Sequence, residues 1–230
     1  MNSSRHIAFA LFIIALCSAL AGASMLLSAI YSNQADAFLE DWKNKGAVPS
    51  EQAWNITHTA VQRANRFYPI ANGDLLDQQG RVYEWYAFSS WAKPELIPGY
   101  QQQAINAYRQ SIAARPTWPF TWRNLALAKL RANQLDEELF EASKQALHFG
   151  PYEKPVLLDI AGISFQEFRR DARFKTLATT SVMRLSDWGP KEKRLIWSQA
   201  KQQGAFITLC EELTIEFKRR HKVCFEGAQV

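Results

Sequence analysis

Apolar positions fall into two patterns along the chain. Residues 7–30 (IAFALFIIALCSALAGASMLLSAI) form one run without a charge, and about 20 apolar residues suffice to cross a bilayer. Beyond that run, apolar and small residues return every three or four positions, the period of helices with one buried face. Ala104, Tyr108 and Ser111 lie at i, i+4 and i+7, with Pro116 five residues later. Thirty-five residues on, Leu139, Ser143, Ala146 and Pro151 repeat that spacing, and Thr57, Val61, Ala64 and Pro69 form a weaker earlier copy. Proline lacks an amide hydrogen and clashes with the preceding turn, so each unit ends in a proline-stopped helix. No stretch alternates Val, Ile and Thr as a strand does, and the expected fold class is all-α.

The boundaries follow from start and stop residues. Ser50-Glu51 opens a helix that runs to Phe67-Tyr68-Pro69, and the turn Asn72-Gly73-Asp74 caps another from Leu75 to about Trp91. A loop is expected over 93–99. Pro119 suits the first position of the helix carrying Leu125 and Ala126. Further helices are expected over 156–168, 173–186, 191–203 and 205 to about 218, with a break at Asp187-Trp188-Gly189-Pro190. The chain thus divides into a short N-terminus (1–6), a transmembrane anchor (7–30), a membrane-proximal stalk or short helix (31–49), a repeat region (50–155) and a C-terminal helical cap (156–230).

Within the repeat region, Trp122, Leu125 and Ala126 followed by a proline-stopped helix resemble the tetratricopeptide pattern. Ala104, Tyr108, Ser111 and Pro116 match that pattern's second helix in order. The next copy departs from it, with Leu139 for alanine, Ser143 for an aromatic residue, and one residue inserted near Asn133-Gln134. The resemblance implies a short solenoid of helical hairpins closed by capping helices.

Two readings of the N-terminal run stand open. Arg5 and His6 precede it and Asp36, Glu40 and Asp41 follow, so an uncleaved span places the N-terminus in the cytoplasm and the remaining chain in the periplasm of a bacterial inner membrane. Ala19-Leu20-Ala21 and Ala21-Gly22-Ala23 also read as small-x-small cleavage sites of a signal peptide, although the apolar run continues beyond them. The formal charge of +5 is mild and spread out. No dense basic face interleaved with stacking aromatics points to nucleic acid.

Chemistry is sparse in the sequence. The four histidines show no metal-ligand spacing, no phosphate-cradling loop is present, and no cofactor is expected. Asp74, Asp77 and Glu84 lie on one helix and are the candidates for an acid–base pair on glycan; the simpler account is a cap and a solvated face. Trp85, Trp91, Trp118 and Trp122 are candidate partner- or glycan-binding residues, with packing between helix pairs as the competing account. Cys210 and Cys224 can pair only if their helix ends by about Phe217, because a helix continuing to Lys222 carries the chain about 18 Å away.

The anchor, the outward domain, the Arg115-Pro116-Thr117-Trp118-Pro119 run and the Phe149-Gly150-Pro151-Tyr152-Glu153 ending together resemble VpsP-type proteins of bacterial exopolysaccharide biosynthesis. The resemblance implies a non-enzymatic accessory role in building or exporting a surface polysaccharide, through a protein partner or glycan. A glycan-cleaving envelope enzyme using the carboxylates near Asp74, Asp77 and Glu84 is the alternative.

Overall fold

The computed structural model describes residues 2–225, with side chains from His6 onward. Met1 and the side chain of Arg5, in the segment expected to be cytoplasmic, and residues 226–230 of the C-terminal cap lie outside the described residues. These residues are organised as helices joined by short turns, without a strand among them. They divide into two compact units, Met1–Pro116 and Thr117–Val230, a boundary inside the region expected to form one repeat array.

In the first unit, α1 (Asn2–Lys45) is a single unbroken helix of 44 residues, about 66 Å long at 1.5 Å per residue. It is exposed on every side over residues 6–23, whereas Ala35, Leu39 and Trp42 are buried. Those three sit at i, i+4 and i+7, so the polar composition of 31–49 conceals an amphipathic stripe. The segment read as a stalk or short membrane-proximal helix is helical as far as Lys45 and supplies part of a core. α2 (Glu51–Phe67) starts at Ser50, whose hydroxyl accepts the Ala53 N–H. α3 (Gly73–Phe88) starts at Asn72, whose side chain accepts the N–H groups of Asp74 and Leu75. It ends before Trp91 because Ser89 turns extended. A 3₁₀ turn at Pro94–Leu96 runs directly into α4 (Ile97–Ala114), so the expected loop is largely helical.

The second unit holds α5 (Pro119–Arg131), α6 (Glu137–Phe149), α7 (Lys154–Glu167), α8 (Arg173–Trp188), α9 (Pro190–Gln202), α10 (Phe206–Glu212) and α11 (Ile215–His221). The extra residue between α5 and α6 is absorbed by Asn133, which takes a left-handed φ of 54°, a conformation asparagine tolerates better than most residues. Asp136 then caps α6 by accepting the Leu139 N–H. The single helix expected over 205–218 is broken after Glu212. Thr214 caps a new start by accepting the Phe217 N–H, and the return brings Cys224 into a disulfide with Cys210, Cα atoms 5.6 Å apart.

Helices pair consecutively: α1 with α2 and α3 with α4 in the first unit, α5 with α6 and α7 with α8 in the second. The second member of each pair carries one register. Thr57, Val61 and Ala64 of α2, Ala104, Tyr108 and Ser111 of α4, and Leu139, Ser143 and Ala146 of α6 are all at most 1% exposed. On α8, Ala178, Val182 and Leu185, followed by Pro190, form a fourth copy that the sequence reading passed over; all three are buried. The four helices end at Phe67, Ala114, Phe149 and Trp188, each two residues before its proline. A residue preceding proline is pushed out of the helical region, and Tyr68, Arg115, Gly150 and Gly189 have all left it.

Within α3/α4 the contact is closest at Gly80, where an added Cβ would lie 2.5 Å from a ring carbon of Tyr108. Ser111 Oγ donates to the Gly73 carbonyl at 2.7 Å, holding the end of α4 against the start of α3. In α5/α6 the corresponding ends meet at Gly150, where a Cβ would sit 2.7 Å from Cβ of Pro119. At the other end of that pair, the fully buried Lys129 donates to Asp136 Oδ2 at 2.9 Å and Glu138 Oε2 at 2.6 Å. Leu125 and Ala126 are likewise buried.

Candidate functional site

The aromatic side chains singled out in the sequence belong to two groups. In the first unit, the buried part of α1 contributes Trp42, α2 contributes Trp54 and His58, α3 contributes Tyr83, Trp85 and Tyr86, and α4 contributes Tyr100. Trp54 is the hub: its ring meets Tyr86 at 5.1 Å, Tyr100 at 5.2 Å and His58 at 4.6 Å, while its Nε1 donates to the Val82 carbonyl at 2.9 Å. Trp91 packs against Trp54 and Tyr86, and its Nε1 donates to the Pro49 carbonyl at 2.7 Å. Trp85 is half-buried, edge-on to Trp42 at 5.7 Å. Each of these indoles has a packing partner, and the N–H groups of Trp54 and Trp91 find backbone acceptors.

Trp118 and Trp122 lie in the second unit. Trp118 is 40% exposed beside Phe120, ring centroids 5.3 Å apart, and Trp122 is half-buried on α5.

The electrostatics of the aromatic group follow from burial. Burial pushes the His58 imidazole below its ordinary value. Burial, then the neighbouring Tyr86 and Tyr83 phenols, raises Tyr100. Tyr108 is raised well above the ordinary phenol value by burial first and the Glu84 carboxylate second.

The three carboxylates of α3 are distributed among different partners. Asp74 pairs with Arg115 at 2.6 Å, Asp77 with Arg81 at 3.3 Å, and Glu84 accepts the Tyr108 hydroxyl at 2.6 Å. Along the helix axis Glu84 stands about 10 Å from Asp77 and about 15 Å from Asp74, beyond the roughly 5–9.5 Å of carboxyl pairs in glycoside hydrolysis; Asp74 and Asp77 are about 4.5 Å apart along the axis, each bound to a different arginine. Arg81 also reaches Asp36 of α1 at 3.3 Å, so these charges tie α1 to α3. No group of three or more His, Cys, Asp or Glu with metal-binding geometry occurs among the described residues.

An open groove of about 580 Å³ lies between α1 and α2, lined by Tyr31, Gln34, Asn55, Ile56, Thr59 and Arg63 among others. Sequence reasoning missed it. The signal was the polar face of α2, where Asn55, Thr59 and Arg63 recur every four residues opposite the buried Thr57, Val61 and Ala64. One end of the groove is built by Tyr31, which stacks on Phe67 at 5.9 Å and lies under the Arg63 guanidinium at 5.3 Å.

Among known proteins, no family model matches this chain and no curated protein is significantly similar to it. The long N-terminal helix is sufficiently long and apolar to cross a membrane, with none of its most apolar stretch buried.

Proposed function

We propose that the chain is a single-pass scaffold of the bacterial cell envelope, anchored through α1, that holds a protein partner during biosynthesis or export of a surface polysaccharide. The observation that carries the scaffold reading is the shared register of α2, α4, α6 and α8: four helix pairs built to one plan, with the same three buried positions and the same terminal proline. Repeated helical hairpins of the tetratricopeptide kind present surfaces for protein partners. The resemblance to VpsP-type proteins supports the polysaccharide context. The α3 carboxylates, each engaged with a structural partner, weigh against glycan cleavage as the primary role. In this reading the N-terminus is cytoplasmic and both units face the periplasm, with α1 in the inner membrane.

The test is genetic and quantitative. Cells lacking the chain should carry less surface polysaccharide. The full chain should restore it; residues 24–230 exported without the span should not. Unchanged polysaccharide in the deletion would overturn the polysaccharide assignment, and restoration by the exported, spanless chain would overturn the role of the anchor.

A further inference from the structure

The apolar run of α1 does not stop where the folded unit begins; the two overlap. Ser24 Oγ donates to the Phe67 carbonyl, and Ser28 Oγ donates to the Ala64 carbonyl at 2.7 Å. Both acceptors belong to the last turn of α2: the Phe67 carbonyl lies beyond the helix's own hydrogen-bond ladder, while the Ala64 carbonyl accepts the Tyr68 N–H at 3.2 Å as well as the serine. The last turn of α2 is thus fastened alongside residues 24–28, inside the run 7–30. Counting about 20 residues from Ile7 for the hydrocarbon thickness ends the span near Leu26, level with those two serines.

We infer that the end of α2 and the turn that follows it, residues 63–72, form a second membrane contact, resting on the headgroup layer of an anionic bilayer beside the anchor. This inference rests on the membrane anchoring of α1 proposed above. Four features of the turn fit that position. Ile70 is 71% exposed, an isolated apolar side chain at the tip. Tyr68 precedes it by two residues and Tyr31 stacks on Phe67, supplying aromatics of the kind that favour the boundary between lipid and water. Arg63 and Arg66 are exposed on the same helix end, where lipid phosphates attract basic side chains. Asp74, the nearest carboxylate along the chain, is paired with Arg115. Backbone in an irregular turn needs water or a protein partner, so the turn reaches the headgroups and stops short of the acyl core. The Ser24 bond completes the account by occupying the Phe67 carbonyl at a depth where water is scarce.

The experiment uses the full chain in phosphatidylethanolamine–phosphatidylglycerol vesicles, with Cys17→Ser and a spin label at one introduced cysteine; Cys210 and Cys224 are oxidised together. Ile14→Cys reports the acyl core, Gln103→Cys, exposed near the other end of α4, reports water, and Ile70→Cys reports the turn. Collision with oxygen relative to a water-soluble nickel chelate should be highest at 14, lowest at 103, and several-fold above the water value at 70. Replacing phosphatidylglycerol with phosphatidylcholine, or changing Arg63 and Arg66 to Gln, should lower the ratio at 70 and leave 14 unchanged. A label at 70 indistinguishable from 103, with 14 in the acyl core, would overturn the inference and spare the anchor. A water-like label at 14 would overturn both.

Discussion

The α3/α4 and α5/α6 pairs share one register and fill it in opposite ways. On α4 the small residue comes first and the large one second, Ala104 and Tyr108; on α6 the large one comes first, Leu139, and Ser143 follows. All four are at most 1% exposed. The Tyr108 ring is accommodated because Gly80 opposite it has no side chain, while Ser143 needs no such gap and returns its hydroxyl to the Leu139 carbonyl at 2.8 Å. What persists between the pairs is therefore which positions face inward. The volume at each position is renegotiated with the neighbouring helix, as close packing requires.

This contrast can be broken most severely at Tyr108. Tyr108→Ala should destabilise the full chain by about 3–5 kcal/mol, since it empties a buried aromatic site and removes the Glu84 hydrogen bond; urea unfolding followed by circular dichroism measures it. Gly80→Ala comes next, at about 1–3 kcal/mol, because the new Cβ overlaps the ring. If Tyr108 is the cause, adding Gly80→Ala to Tyr108→Ala should cost far less than Gly80→Ala alone, a coupling that a double-mutant cycle exposes.

A smaller effect separates the pairs by pH. Partial burial of Asp136 raises its pKa, but the hydrogen bonds from Lys129 and the Leu139 N–H outweigh it and hold the carboxyl below its ordinary value of 3.8. A depressed folded-state pKa stabilises above the unfolded value and is lost as pH falls through the folded one. Wild-type stability should accordingly fall on acidification below about pH 4 more steeply than that of Asp136→Asn; equal slopes would remove Asp136 from the account. The smallest effect belongs to Ser143→Ala, within about 1 kcal/mol, because its bond to the preceding turn is local. A loss comparable to that of Tyr108→Ala would mean that Ser143 carries as much packing as Tyr108 and that the contrast between the pairs does not hold.

Helix ends were legible because proline and capping residues act within a few positions: Ser50, Asn72, Pro116, Pro119 and Pro151 all sit at the boundaries they suggest. The buried register of α4 and α6 was legible for the same reason. The copy on α8 was passed over because Ala178, Val182 and Leu185 share little but spacing with the others, and their proline begins the next helix. The continuation of α1 past Ile30 was hidden by falling hydrophobicity, although Ala35, Leu39 and Trp42 keep helical spacing. Of the candidate site, residue identity was readable and partnership was not: nothing local says that Trp91 will donate to Pro49, or that Glu84 will receive Tyr108, because those partners come from other elements.

The unbroken α1 has a mechanical consequence. Ser24 and Ser28 bind the end of α2 and Ala35, Leu39 and Trp42 pack into the first unit's core, so one rigid helix carries both the apolar run and the packed stripe. A flexible linker in its place would sample every height and bearing, whereas a helix permits one of each. With the apolar run held in a bilayer, α1 works as a mast. One residue inserted before Ser24 would shift the packed stripe about 1.5 Å along the axis and swing it by about 100°, so the length of the helix before Ser24 would set the direction in which the first unit faces.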